Sequence, residues 1–347
     1  MSNTIRMIGC GGAGISLTDE VGGLLGELGE GFAKVDKYFV DTAEASIAHV
    51  KTVNPKFHLI KKSTTGGTDV TGSGGDRKTN AQHIIPGVKD FLDNNKMSSK
   101  ETGVFYVVVF AASSGSGSVI GPMVIKNLLE KNIPTVVVMI GDSTNGLSAI
   151  NTLNTIATLH AIANGTKKPL SVMYVNNESF MNNGAASAIK EANRSVFNSL
   201  SALTLFLSGV NHELDNQDMI NIIDQSNYST INIKPGLYAL NAFSKDVALP
   251  DGCIPTVART LTVNGVSPDI NVPLLHHKNG KIIEENAARI YAEYAPLHLV
   301  SYTNFFTQEE SRLKKYTSTI YDSIKAIEIN EISGTSESEV DENGLVF

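Results

Sequence analysis

The stretch VFYVVVFAASSGSGS, residues 104–118, decides the fold. Seven apolar residues run without interruption from Val104 to Phe110, which predicts a strand covered on both faces rather than a half-exposed one. Two alanines follow, and then serine and glycine alternate from Ser114 to Ser118. Small residues between a buried strand and a helix let backbone N–H groups approach an anion, and the serine hydroxyls add donors. The same device opens the chain: IRMIGCGGAG, residues 5–14, is another short apolar strand running into glycines. A third glycine-rich stretch, GGTDVTGSGG at 66–75, precedes Asp76, Arg77 and Lys78.

Outward from these loops, strands are expected over 5–8, 37–40, 57–60, 104–110, 134–140 and 170–175, alternating with helical patterns. That order predicts an α/β, doubly wound nucleotide-binding domain over 1–184, with ligands outside the carboxyl ends of its strands. Residues 185–208 carry Ile189, Ala192, Val196, Leu200, Leu203 and Leu207 at spacings of three and four, a long central helix of about 36 Å. A smaller α+β second domain is expected over 209–305. It begins with a polar loop at 209–218 and includes strands over 254–263, 270–276 and 297–302 and a hairpin turn at 278–281. A C-terminal helix over 306–330 and an acidic tail over 331–347 complete the order.

Charge narrows the function classes. Of the net charge of −7, the tail carries −5 through Glu331, Glu337, Glu339, Asp341 and Glu342, leaving the body nearly neutral. No basic excess exists to neutralise a phosphate backbone, so direct nucleic-acid binding is not expected. No apolar run approaches the roughly 20 residues a bilayer requires, so no membrane partner is expected. Two distant cysteines, Cys10 and Cys253, and an amino terminus without a signal-peptide pattern lead to the expectation of a cytoplasmic protein. A G-x-x-x-x-G-K-[ST] loop is absent, which disfavours a Walker-type NTPase.

The order of these motifs resembles the tubulin/FtsZ superfamily of GTP-driven filament proteins. Residues 111–117, Ala-Ala-Ser-Ser-Gly-Ser-Gly, align with that family's GGGTGTG signature, keeping its hydroxyl, Gly, hydroxyl, Gly half. Cys10 within GCGGAG is similar to the cysteine in the first nucleotide loop of eukaryotic tubulins. The resemblance implies GTP or GDP as ligand with Mg²⁺. It places Gly11, Gly12, Ala13 and Gly14 against the nucleotide and Ser114, Gly115, Ser116 and Gly117 against its phosphates. It puts Asp41 beside Mg²⁺ through water, and Gly74, Gly75 and Arg77 in the loop that senses the terminal phosphate. Asn177 and Asn193 match the residues that read guanine, and Ile189 matches a position stacked on the base.

The segment Glu213-Leu214-Asp215-Asn216-Gln217-Asp218 resembles the family's N-x-D-x-x-D loop, which implies Asp215 and Asp218 as catalytic carboxylates. The same pair also fits a helix cap followed by an acidic first turn. Asp215 and Asp218 lie beyond the far end of the central helix from Asn193, so they are expected to reach the nucleotide of a neighbour stacked head to tail. The resemblance therefore implies a GTPase that polymerises, most like the phage branch, which positions phage DNA in the infected bacterium, with the acidic tail docking on the neighbouring subunit. A plasmid-segregating filament, a division protein, a polymer that does not hydrolyse and an NAD-dependent oxidoreductase using residues 9–14 stay open at this point. His276 and His277 are expected in a hairpin rather than at a metal, since strand neighbours face opposite ways.

Overall fold

The computed structural model describes residues 3–26, 33–61, 77–97, 99–208, 211, 213–228, 233–263, 270, 273–283, 285, 288–289, 292, 295–326 and 343–346. The third glycine-rich stretch, with Gly74 and Gly75, and His212 lie outside them.

Continuous apolar runs make the central strands. β1 (Thr4–Cys10), β4 (Val104–Ala111), β5 (Thr135–Gly141) and β6 (Pro169–Asn176) lie side by side and parallel, with β2 (Lys34–Asp41) and β3 (Lys56–Leu59) extending the sheet beyond β1. Successive side chains go to opposite faces. Ile8, Cys10, Val108 and Phe110 join one core, whereas Ile5, Met7, Val107 and Val109 join the other. The first core is covered by α2 (Arg77–Asn94), α3 (Gly117–Glu130), α4 (Gly146–Thr166) and α7 (Phe305–Ala326). The second is covered by α1 (Gly11–Gly26), α5 (Ala185–Ser208) and α6 (Asn216–Ile223).

The strands of the second region continue the same sheet. β7 (Gly236–Ser244) pairs parallel with β6, β10 (Leu297–Thr303) lies antiparallel between β7 and β8 (Ile254–Thr262), and β9 (His276–Lys281) closes the edge. The sheet has ten strands in the order β3-β2-β1-β4-β5-β6-β7-β10-β8-β9.

Two expectations require correction. β7 was not anticipated, and the segment 278–281 is no hairpin turn: it lies within β9, paired parallel to β8 with Arg259 opposite Lys278. Lys-Asn-Gly-Lys has turn composition, but tertiary pairing overrides local preference at a sheet edge. His276 and His277 do face opposite ways, His276 toward Arg259 and Tyr228, His277 toward Thr260.

The central helix matches its expected bounds because its stripe is long and periodic. Ala192, Val196, Leu200, Leu203 and Leu207 are buried, while Ile189 is 51% exposed. Residues 343–346 pack on their own chain, with Leu345 in the first core. Leu200 has no exposed surface, so Leu200→Ala should cost about 2–5 kcal/mol through lost burial and a residual cavity. The urea midpoint at unchanged slope measures it.

Candidate nucleotide site and the opposite acidic edge

Close backbone approach shapes the carboxyl edge of the sheet. β1 ends at Cys10 and α1 begins at once with Gly11, whose φ of +72° is left-handed. A Cβ on Gly11 would lie 3.0 Å from the Gly117 backbone, and one on Gly117 would lie 3.0 Å from the Cys10 carbonyl. The two glycine loops therefore touch and form one surface. Gly14 is more confined still, since a Cβ there would stand 2.2 Å from the Val109 carbonyl oxygen. Gly12 and Ala13 are exposed, so the first turn of α1 presents open backbone.

The second loop is braced from below. The Ser114 hydroxyl donates to the Ala111 carbonyl at 3.0 Å, and Asn151 on α4 donates to the Ser113 carbonyl at 3.0 Å. Ser114 is half-buried, and Gly115, Ser116 and Gly117 are buried at the start of α3, where helix N–H groups and the positive helix end favour an anion. Asp41 ends β2 with only 2% of its surface exposed. Its carboxylate accepts from the Thr42 backbone N–H at 2.7 Å and from the Ser46 hydroxyl at 2.5 Å, and Ser46 lies against Gly12. Cys10 is wholly buried, and burial, with the Asp41 charge beside it, pushes its thiol well up, so it packs as a neutral side chain.

Asn177 and Asn193 are brought to the same edge. Asn177 opens a 3₁₀ turn, Asn177–Asn183, that follows β6 and packs against α5, and α5 also packs against α1. Asn193 is half-buried on α5, one turn beyond the exposed Ile189. Three buried polar atoms at this edge have no hydrogen-bond partner among the described residues: Thr42 Oγ1, Ser118 Oγ and Asn177 Oδ1.

Arg77 is placed differently from the terminal-phosphate sensor expected. It opens α2 with 4% exposure and turns inward, donating to the Ser118 carbonyl at 2.9 Å, to the Thr155 hydroxyl at 2.5 Å and to the Thr158 hydroxyl at 2.6 Å.

A further set of residues escaped the sequence reading. Arg312 on α7 donates from Nε to Glu309 at 2.8 Å and from Nη2 to Ser143 at 3.2 Å, and pairs with Glu178 in the turn that carries Asn177. Tyr174 and Asn176 donate to Glu309 at 2.7 and 3.0 Å. Burial opposes ionisation of Glu309, but hydrogen bonds from Arg312, Tyr174 and Asn176 outweigh it and hold its carboxyl below the usual range. Glu309 and Arg312 at a spacing of three look like a solvated helix pair, and no local signal ties them to residues more than 130 positions earlier.

The acidic loop lies at the other edge of the sheet. Asn3, just before β1, donates to the Asn216 side chain at 2.7 Å and to the Leu207 carbonyl at 2.9 Å, stitching the start of α6 to the amino ends of the strands. A cleft of about 690 Å³ opens there, lined by Asn3, Glu101, Gly103, Asn211, Asp215 and Asn216. Asp215 and Asp218 form a reciprocal capping box: each carboxylate accepts the other's backbone N–H, at 2.8 and 3.0 Å. Asp215 is exposed; Asp218 is buried and paired with Lys278 at 2.5 Å. Burial resists the Asp218 charge, but Lys278 and the Asp215 N–H prevail and lower its pKa. Arg259, fully buried, fixes the Asp218 carbonyl through Nε and Nη2 at 3.1 and 3.0 Å. Among the described residues no cluster of His, Cys, Asp and Glu suits a metal.

No protein-family model matches the chain. The phage tubulin-like protein of Pseudomonas phage 201phi2-1 is 26% identical over 229 residues, 65% of this chain. That match covers 63% of the relative's own length, less than two thirds. A solved protofilament of TubZ from bacteriophage PhiKZ superposes with a TM-score of 0.75 at 18% identity over 99% of both chains. The chain is similar in sequence to phage tubulin-like proteins and shares the fold of the phage tubulins. A GDP-bound phage tubulin, PhuZ, gives a TM-score of 0.75 at 19% identity, again over 99% of both chains. The ten-stranded sheet with α5 across it is thus the tubulin fold, and the chain's likeness within the superfamily is to phage tubulins.

The glycine geometry separates two neighbouring positions. Gly14→Ala should lower the stability of the ligand-free chain by about 1–3 kcal/mol through overpacking, whereas Gly12→Ala, whose Cβ would meet only Ser46 at 3.4 Å, should stay within about 0.5 kcal/mol. Thermal melts of the two variants check this.

Proposed function

We propose that this chain is a GTPase that polymerises head to tail into dynamic filaments. The observation that carries the reading is the placement of the two halves of the site. The glycine loops lie at the carboxyl edge of the sheet and the Asp215–Asp218 pair at its amino edge, stitched to Asn3. A seven-residue β1 separates these edges by about 20 Å, so the carboxylates of one chain serve the nucleotide of another. A contact between unlike surfaces does not close on itself, and its repetition makes a filament. The solved relatives support this, one being a protofilament and another holding GDP.

In this reading the backbone of 11–14 and the 114–117 loop hold GTP, with Asn177 and Asn193 offering donor and acceptor to guanine and Ile189 lying against the base. Gly74 and Gly75, which lie outside the described residues, are assigned to the terminal phosphate by the resemblance alone. Asp41 would be the residue that holds Mg²⁺, which would supply charge neutralisation at the phosphates. The exposed Asp215 of the next subunit orients the attacking water, and Asp218, kept ionised by Lys278, fixes the loop and adds to the field at that water. Little covalent work falls to the protein in phosphoryl transfer, so positioning across the junction controls the rate. No helix among the described residues is long and apolar enough to cross a membrane. The filament acts in the host bacterial cytoplasm and positions phage DNA without gripping it directly, in keeping with the nearly neutral body.

Asp215→Ala and Asp218→Ala should each slow phosphate release at least about 100-fold while GTP binding and polymers persist. Mixing either variant with a Gly117→Asp chain, defective in the other half, should restore part of the activity at junctions that pair the intact halves. Hydrolysis at the normal rate by both aspartate variants contradicts the assignment.

A further inference from the structure

Residues 343–346 return to the body of their own chain and seat in the groove between α3 and α4. Leu345 is wholly buried and Val346 is 5% exposed. Lys126 on α3 donates to the Asn343 carbonyl at 2.9 Å, and the Val346 N–H donates to the Thr158 hydroxyl on α4 at 3.0 Å. A cavity of about 430 Å³ continues beside Asn343 and Gly344 along Leu129, Ala161 and Ile162. The groove thus recognises a peptide backbone at two points and an apolar side chain between them.

Thr158 connects this groove to the nucleotide loops. Its hydroxyl proton goes to the Asn154 carbonyl at 2.8 Å, and its oxygen accepts from Val346 and from Arg77 Nη2 at 2.6 Å. A hydroxyl has one proton and two lone pairs, so Thr158 is fully committed. Arg77 also holds the Ser118 carbonyl and Thr155, whose single hydroxyl proton is shared between the Asn151 carbonyl at 2.7 Å and the Ala112 carbonyl at 2.9 Å. Ala112 and Ser118 bracket the serine-glycine loop.

We propose that the α3–α4 groove is a binding site for the chain's own residues 343–346, and that filling it braces Arg77 and, through Arg77, the 111–118 loop. This stands apart from the identity of the nucleotide, because groove, buried arginine and loop are joined by contacts within the chain itself.

The test uses nucleotide-free protein truncated after residue 342 and a fluorescent peptide of residues 336–347. The peptide should bind the truncated chain saturably and the full chain at least about tenfold more weakly, since there the groove is filled. Amide exchange over 77–81 and 112–120 should quicken about tenfold on truncation and slow again with peptide, but not with a Leu345→Asp peptide. Should the truncated chain fail to fold, Leu345→Ser in the full chain carries the same expectation, read by exchange at 112–120 with the circular dichroism spectrum retained. Equal peptide binding to full and truncated chains, or unchanged exchange over 112–120 in the folded variants, overturns the proposal.

Discussion

Backbone contact between two loops organises the molecule. Cys10 and Gly11 lie so close to Gly117 that neither glycine tolerates a side chain without displacement. This contact welds the end of β1 to the start of α3 and sets two helix N-termini side by side at one edge of the sheet. Asp41, Asn177 and Asn193 are then placed around that edge by the strands and helix that carry them. The two carboxylates assigned to catalysis, Asp215 and Asp218, are held away from it by the length of β1.

The acidic edge is as firmly built as the glycine edge. Buried Arg259 and the partly exposed Lys278 fix the carbonyl and the carboxylate of Asp218, while Asn3 ties the neighbouring helix start to the sheet. The capping box and the catalytic role are compatible. Capping aims both carboxylates at the first turn of α6 and leaves Asp215 at the surface, open to a second subunit in the proposed filament. In the proposed filament, a half-site prepared on each edge would couple activity to assembly without a large rearrangement of either edge.

The parts legible in the sequence were those whose signals are local and repeated. The run from Val104 to Phe110 announced a doubly covered strand because every residue is apolar, and the stripe from Ile189 to Leu207 announced α5 because its period holds over about five turns. Ile189 keeps the spacing of that stripe yet is 51% exposed, so periodicity alone misplaced it. What stayed hidden depends on partners distant in the chain. Lys278 to Lys281 has the composition of a turn and forms a strand only because β8 pairs with it. Arg77 was expected in the loop that senses the terminal phosphate, yet hydroxyls on α4 receive it in the interior. The clamp of Arg312 on Glu178 joins residues 134 apart, beyond any periodicity.

The central claim is that neither edge of this sheet hydrolyses GTP without a second chain. Phosphate release measured against protein concentration, at saturating GTP and Mg²⁺, tests it most directly. The account predicts negligible turnover per chain below the concentration at which light scattering reports polymer, and a rise in step with polymer mass above it. Turnover per chain that is the same below and above that concentration would contradict it.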